Sequence, residues 1–147
     1  MRFLPRPAVA AFLGCTLLLP VLSAWSATVE VRVSGVTGAG GKVHVAVCDR
    51  ERFLKQCLHT ASAPAQPGET TVVVKGVPGG TWAVLAYQDE NSNGELDRNL
   101  IGIPSENYGF SRDARGRFGP PGFEDAAIGV QESGAADGTT VASVRLR

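Results

Sequence analysis

The chain has 147 residues, and its 14 basic and 14 acidic side chains give a formal net charge of zero. This length is sufficient for one domain with a single hydrophobic core. The balance of charge gives no electrostatic reason to expect nucleic acid or an anionic membrane as a partner.

The first 26 residues have the features of a signal peptide. Arg2 and Arg6 provide a positively charged start, residues 8–22 are almost all apolar, and Ala24 and Ser26 are small residues before a predicted cleavage site. The apolar run is short for a membrane span, so we expect export to the periplasm or the cell exterior, with no membrane span after cleavage. The predicted mature chain is one domain, residues 27–147, with 12 basic and 14 acidic side chains once the two leader arginines are removed.

Two cysteines, Cys48 and Cys57, remain in the predicted mature chain. In an oxidising compartment an even pair of cysteines predicts a disulfide. The alternative is a zinc or copper site, in which His44 and His59 would join the two cysteines as ligands. Export favours the disulfide.

Short segments with strand character follow the leader. Residues 28–34 alternate apolar and polar side chains, and residues 42–48 place three valines on one face, so we expect these two strands to form a hairpin. Further strands are predicted over residues 70–75, 81–88, 126–131 and 139–146. Residues 81–88 are apolar on both faces, which is typical of a central strand or of one beneath a covering loop.

The remaining segments have other patterns. Residues 49–58 have some helical character, whereas residues 60–68 are polar and broken by proline, which predicts a surface loop. Residues 134–138 predict a turn. Residues 99–125 are rich in glycine, proline and aromatic residues, which indicates a long ordered loop, because disordered segments contain few aromatic residues. These patterns predict an all-β protein, an Ig-like or prealbumin-like antiparallel β-sandwich of about six to eight strands.

An ordered series of motifs runs through the second half of the chain. Residues 79–97 read GGTWAVLAYQDENSNGELD, and GIP, YGFS, FGPP and FEDA follow between residues 102 and 126. This series resembles domain-of-unknown-function family 2141, a family of small exported bacterial proteins. The resemblance implies an exported prealbumin-like β-sandwich with no established activity. Gln88 stands where we expect a histidine in many relatives, which weakens the case for an imidazole beside the acidic residues that follow.

Residues 89–97 carry oxygen-bearing side chains at alternate positions, with a glycine at the sixth position. The candidate ligands are Asp89, Asn91, Asn93, Glu95 and Asp97. This is the first part of a calcium-loop pattern, so calcium is the one cofactor that the sequence suggests. Leu100 occupies the twelfth position, where the pattern requires glutamate. Asp97, or Glu106 or Glu124 from the long loop, could replace this ligand, and binding is expected to be weak. The alternative is an Asx-rich turn, in which side-chain oxygens accept hydrogen bonds from backbone N–H groups.

The long loop offers further candidate binding residues, namely Tyr108, Phe110, Arg112, Arg115 and Phe118. The rings could stack on a ligand or cover one end of the sandwich, and the arginines could bind an anion or remain solvated. We expect a non-catalytic binding or structural module whose partner is a small molecule, a glycan or an envelope protein. The alternative is a hydrolase of an envelope glycan or peptide that uses Asp89, Glu124 and Asp125 as acid–base groups. Against it, adjacent side chains at the predicted strand entry near residue 125 would point to opposite faces.

Overall fold

Two β-sheets face each other in the computed structural model, which describes residues 26–132 and 138–147. Within these ranges the elements are β1 (Ala27–Val36), β2 (Lys42–Cys48), β3 (His59–Pro64), β4 (Gly68–Val77), β5 (Gly80–Asp89), β6 (Tyr108–Phe110), α1 (Phe123–Ala126), β7 (Ala127–Val130) and β8 (Thr139–Arg145). One sheet has the strand order β4-β1-β8 and the other β3-β2-β5-β6, with β7 also paired to β5. The predicted all-β sandwich is confirmed. The leader and the predicted turn at residues 134–138 lie almost wholly outside the described residues.

The core between the sheets consists largely of valine. The buried valines include Val29, Val31 and Val33 in β1 and Val43, Val45 and Val47 in β2. Because β-branched side chains pack well on a pleated surface, alternating valines favour strands with one face in the core. The predicted faces of both strands are therefore correct.

The predicted hairpin of β1 and β2 is wrong. β1 pairs with β4 in an antiparallel register and with β8 in a parallel one, whereas β2 pairs with β3 and β5. The segment between β1 and β2 crosses from one sheet to the other, and the two strands face each other across the core. Side-chain alternation identifies the buried face of a strand but not its neighbours, so the pattern is the same in both arrangements.

Two other predictions also need correction. Residues 60–68 were expected to be a loop, but His59–Pro64 is an edge strand against β2. Proline is tolerated there because the end of an edge strand has no ladder bond to lose. Residues 49–58 form turns and no helix. No helix in the described ranges is long and apolar enough to cross a membrane.

The outer face of β5 is covered, as its apolar character predicts. Leu85 and Ala83 lie beneath a cluster of three rings that belong to Phe53, Phe110 and Phe123. The Phe53 ring makes edge contacts with the other two, with centroids 5.9 and 5.8 Å apart. Two of these rings come from the long loop, which is therefore an ordered segment held on the outside of the five-stranded sheet.

Candidate functional site

The acidic turn, residues 89–97, begins at the end of β5. The side chain of Asp89 is 1% exposed. Its carboxylate accepts hydrogen bonds from the backbone N–H groups of Asn93 (3.0 Å) and Gly94 (2.8 Å). The imidazole Nε2 of His44, on β2, lies 3.2 Å from the same carboxylate. Asp89 thus joins the turn to the neighbouring strand.

Opposing effects set the pKa of Asp89. Burial by itself raises the pKa, but the N–H groups of Gly94 and Asn93 and the nearby His44 lower it by more, so that the pKa lies below its usual value. Asp89 is therefore ionised at neutral pH. A buried carboxylate with these three partners acts as an anchor for the surrounding backbone.

The remaining polar side chains of the turn bond to one another. The side-chain N–H groups of Asn91 and Asn93 donate to the two oxygens of Asp97, at 2.6 and 2.7 Å. The side-chain oxygen of Asn91 accepts the N–H of Asn93, and that of Asn93 accepts the N–H of Glu95. These are the contacts of the Asx-rich turn that the sequence offered as the alternative to a metal site.

A carboxylate from the long loop closes the turn. The two oxygens of Glu106 accept the backbone N–H groups of Glu90 and Asp97, each at 3.0 Å. Glu124, the other carboxylate considered for this place, instead forms an ion pair with Arg50. Of the two candidates, Glu106 lies at the turn and Glu124 does not.

The contacts within the acidic turn argue against the calcium hypothesis, which a titration can test. The oxygens of Asn91, Asn93 and Asp97 are already engaged by N–H groups, and the described residues contain no cluster of three or more His, Cys, Asp or Glu side chains able to hold a metal. A calcium ion would have to replace those bonds. We therefore expect neither binding heat nor a change in melting temperature when calcium reaches about 10 mM, the upper range of weak extracellular sites. A saturable heat that Asp97→Ala removes would instead establish a calcium site.

The four residues Cys48, Cys57, His44 and His59 do not assemble a soft-metal site. Cys48 and Cys57 form the predicted disulfide, which removes both thiolates as ligands. His44 stacks on Tyr87, with ring centroids 5.1 Å apart, whereas His59 makes an edge contact with Trp82. The two imidazoles are thus engaged by different partners.

The sequence alone does not predict the imidazole beside the acidic turn. His44 reaches Asp89 because β2 and β5 pair with His44 opposite Tyr87, a register that no local pattern reveals. Gln88, where a histidine was expected in relatives, is fully buried and faces away from the turn. Its side-chain oxygen accepts the N–H of Thr37 (2.9 Å), and its side-chain N–H donates to the Thr37 carbonyl (2.7 Å). Gln88 therefore fastens the β1–β2 connection.

The candidate binding residues of the long loop occupy different places. Phe110 is buried in the ring cluster, whereas Phe118 is fully exposed and Tyr108 is half-buried. Arg112 donates to the backbone carbonyl of Glu124 at 3.3 Å. Arg115 lies 3.5 Å from a carboxylate oxygen of the neighbouring Asp113. Of the five, only Tyr108, Phe110 and Phe118 line the groove described below.

The three carboxylates of the hydrolase alternative do not converge. Asp125 lies in α1, beside the Ala83 end of β5, and its carboxylate accepts the N–H of Gly122. Asp89 lies six residues further along β5, roughly 20 Å away at the usual rise of a strand. Glu124 and Asp125 share a helical turn, so the strand entry predicted for them is wrong. Each carboxylate has a structural partner of its own.

An open groove of about 790 Å³ lies on the outer face of the five-stranded sheet. The sheet contributes residues 85–87 and 108–110 to its lining. The segment 96–104 contributes Leu96, Arg98 and residues 102–104, and the rest of the lining is formed by residues 116–120 with Leu54 and Lys55. We refer to this concavity as the outer groove. It brings together parts of the chain that are up to 66 residues apart in sequence, from Leu54 to Pro120.

Comparison with known proteins gives a family but no function. No curated protein and no solved structure is similar to this chain. A family model described as "Uncharacterized protein conserved in bacteria (DUF2141)" matches residues 31–137. The match includes the acidic turn, Glu106 and the whole lining of the outer groove. The chain therefore belongs to the DUF2141 family, as the motifs between residues 79 and 126 predicted.

Proposed function

We propose that this protein is an exported, non-catalytic binding module whose ligand lies in the outer groove. The observation that carries the proposal is the groove itself, a concavity of about 790 Å³ with a mainly apolar lining. Small-molecule sites are typically concave and apolar with a few polar groups, and their volumes are of this order. Tyr87 and Tyr108 supply such polar groups beside the apolar side chains of Leu54 and Ile103.

The groove wall formed by residues 96–104 is held in place before any ligand binds. The carbonyl of Asp97 accepts the N–H of Ser105 at 2.8 Å. The side-chain oxygen of Asn99 accepts the N–H groups of Ile101 and Ile103 at 3.1 and 3.0 Å. A preformed wall lowers the entropy lost on binding, which supports a recognition site at this position. The acidic turn supports the proposed site, because it holds the start of this wall in place.

Leu54 adds a second line of support. Its φ angle is +61°, a left-handed conformation that is uncommon for a bulky residue, and its side chain is about half exposed in the groove. Strained conformations of this kind cluster at ligand clamps and other functional positions. Its neighbour Phe53 is buried in the ring cluster. The left-handed backbone at Leu54 allows its side chain to line the groove instead of joining that cluster.

Two features support the exported location and a small apolar ligand. The leader-like start of the sequence and the Cys48–Cys57 disulfide both fit an oxidising compartment. The groove lining is mostly aliphatic and aromatic, which favours an apolar small molecule over a glycan as its occupant. An envelope protein would also need a larger contact surface than the groove provides.

The fluorescent dye 1-anilinonaphthalene-8-sulfonate tests the site, because it is an apolar anion of suitable size. We expect saturable binding to the mature protein, with the double variant Leu54→Ser/Ile103→Ser binding about fivefold more weakly, since it loses two apolar contacts. The readout is the dye's emission during titration, with urea unfolding measured in parallel.

A matched control is Leu58→Ser, because Leu58 is also exposed but does not line the groove. This variant should bind the dye as the unmodified protein does. Equal binding by all three proteins, or no saturable binding by any of them, would contradict the proposal.

A further inference from the structure

Two loops beside the outer groove carry apolar side chains that are exposed to solvent. Leu100 and Phe118 are fully exposed, and Ile101 is 79% exposed. We use the term loop tips for these three residues. Leu100 and Ile101 lie in the chain between Arg98 and Gly102, which line the groove, and Phe118 is itself part of the lining, so both tips flank the same groove. Exposed apolar groups collected in one place commonly mark an interaction surface.

A ligand in the groove does not account for this exposure. Phe118 lines the groove, but Leu100 and Ile101 do not. These two side chains would remain in water with the groove filled. A partner that covers them must approach from outside the groove.

The tip that carries Leu100 and Ile101 is held outward by a tight turn. The N–H of Gly102 donates to the carbonyl of Asn99 at 2.9 Å, and Gly102 has a φ of +81°, which glycine adopts without strain. The guanidinium of Arg98 donates to the carbonyl of Gly102 at 3.0 Å. Leu100 and Ile101 at the head of this turn are thus directed away from the fold by its backbone.

Positive charge accompanies the tips. Lys55, Arg98 and Arg117 are the charged residues that line the groove, and no acidic residue is among its lining. Arg98 precedes Leu100 by two residues, and Arg117 is next to Phe118. The overall charge of the chain does not predict such a surface, because the acidic groups lie elsewhere. Apolar side chains beside cations are the arrangement used by segments that insert into the interface of an anionic bilayer.

The acidic turn reaches the groove through Leu96. Tyr87 lines the groove, and its hydroxyl donates to the carbonyl of Gly94 at 3.1 Å. Asp89, Asp97 and Glu106 are engaged there by N–H groups of the turn. These carboxylates are therefore engaged within the turn, and none of them belongs to the groove lining, whose charged residues are all cations.

We propose that the protein docks on the surface of an anionic phospholipid bilayer through the loop tips. Leu100, Ile101 and Phe118 enter the interface between headgroups and acyl chains, and Lys55, Arg98 and Arg117 meet the lipid phosphates. The inference is independent of the proposed ligand, since Leu100 and Ile101 do not line the groove. It gives the groove an opening at the membrane surface.

Vesicle sedimentation tests the proposal with the mature protein. Vesicles of phosphatidylcholine containing about one third phosphatidylglycerol should retain the protein, and pure phosphatidylcholine vesicles should retain at least about tenfold less, because the cations then lack a counter-charge. The variant Leu100→Ser/Ile101→Ser should lower the partition coefficient on the anionic vesicles by at least about tenfold, since two apolar side chains no longer insert. Binding of 1-anilinonaphthalene-8-sulfonate by this variant should be unchanged.

Leu58→Ser is again the matched control, with a side chain 68% exposed outside the groove, and it should sediment with the anionic vesicles as the unmodified protein does. Three outcomes would overturn the proposal: no sedimentation with anionic vesicles, equal loss in the Leu58→Ser control, or a dimer that Leu100→Ser/Ile101→Ser converts to a monomer. The dimer would mean that the loop tips cover a second copy of the chain. Dye binding that fails while vesicle binding succeeds would refute the proposed ligand site alone.

Discussion

Replacing Asp89 with alanine is expected to lower the free energy of unfolding by about 3 kcal/mol, as measured by urea denaturation. The carboxylate is buried and ionised, and its removal leaves the N–H groups of Asn93 and Gly94 and the imidazole of His44 without their partner. A buried donor that loses a charged acceptor carries most of its desolvation cost uncompensated. Because the turn fixes the start of the groove wall at residues 96–104, dye binding should weaken as well.

The acid dependence of stability gives a second measure of the same carboxylate. Since the pKa of Asp89 is lower in the folded protein than in the unfolded chain, its contribution is fully present above the unfolded pKa and is lost as pH falls through the folded pKa. The unmodified protein should therefore lose this stability below about pH 4, and Asp89→Ala should lack that part of the loss.

Glu95→Ala is a suitable control for Asp89→Ala, because the Glu95 side chain lies in the same turn and is exposed. It should change the unfolding free energy by less than about 0.5 kcal/mol. A similar loss in both variants, or the same acid profile with and without Asp89, would show that the buried carboxylate does not anchor the turn.

Removal of the disulfide is expected to have an effect of similar size. The double variant Cys48→Ala/Cys57→Ala should be less stable by about 2–3 kcal/mol, because the bridge closes a short loop and restricts the unfolded chain. This loop carries Leu54 and Lys55, so dye binding in the outer groove should also weaken. Urea denaturation and dye titration measure the two effects.

A thiol assay on the unfolded, unreduced protein of residues 27–147 checks the bridge itself. We expect no reactive thiol, and two after reduction, since residues 27–147 contain no cysteine besides Cys48 and Cys57. Two reactive thiols before reduction would contradict the disulfide. The oxidised protein, compared with the same protein under reducing conditions, serves as a control without any substitution.

The local conformation of the acidic turn could be predicted from its own residues, but its contacts with distant residues could not. The alternating oxygens of Asp89, Asn91 and Asn93 correctly indicated an Asx-rich turn, because such side chains bond to backbone N–H groups only a few residues away. Two of its main partners come from distant segments. The register of β2 and β5 places His44 beside Asp89, and the path of the long loop places Glu106 at the turn. No local pattern specifies either contact.

The outer groove was the least predictable feature. In the sequence Leu100 is only the residue at the twelfth position of the calcium-loop pattern, and Phe118 is grouped with Phe110 as a candidate binding residue. In the fold Phe110 is buried against Phe53, whereas Phe118 is fully exposed. The difference arises from packing, since Phe110 lies on a strand paired with β5 and Phe118 lies beyond it.

The β class, the family, the disulfide and the faces of the valine-rich strands all follow from the sequence. Alternation, cysteine pairing and turn residues are local signals, and each reports on burial or on backbone geometry near its own position. Only the tertiary structure decided that β1 and β2 face each other across the core, that His44 meets Asp89, and that apolar and cationic side chains collect around one groove. These features depend on strand order and register, which are set by packing between residues far apart in the chain.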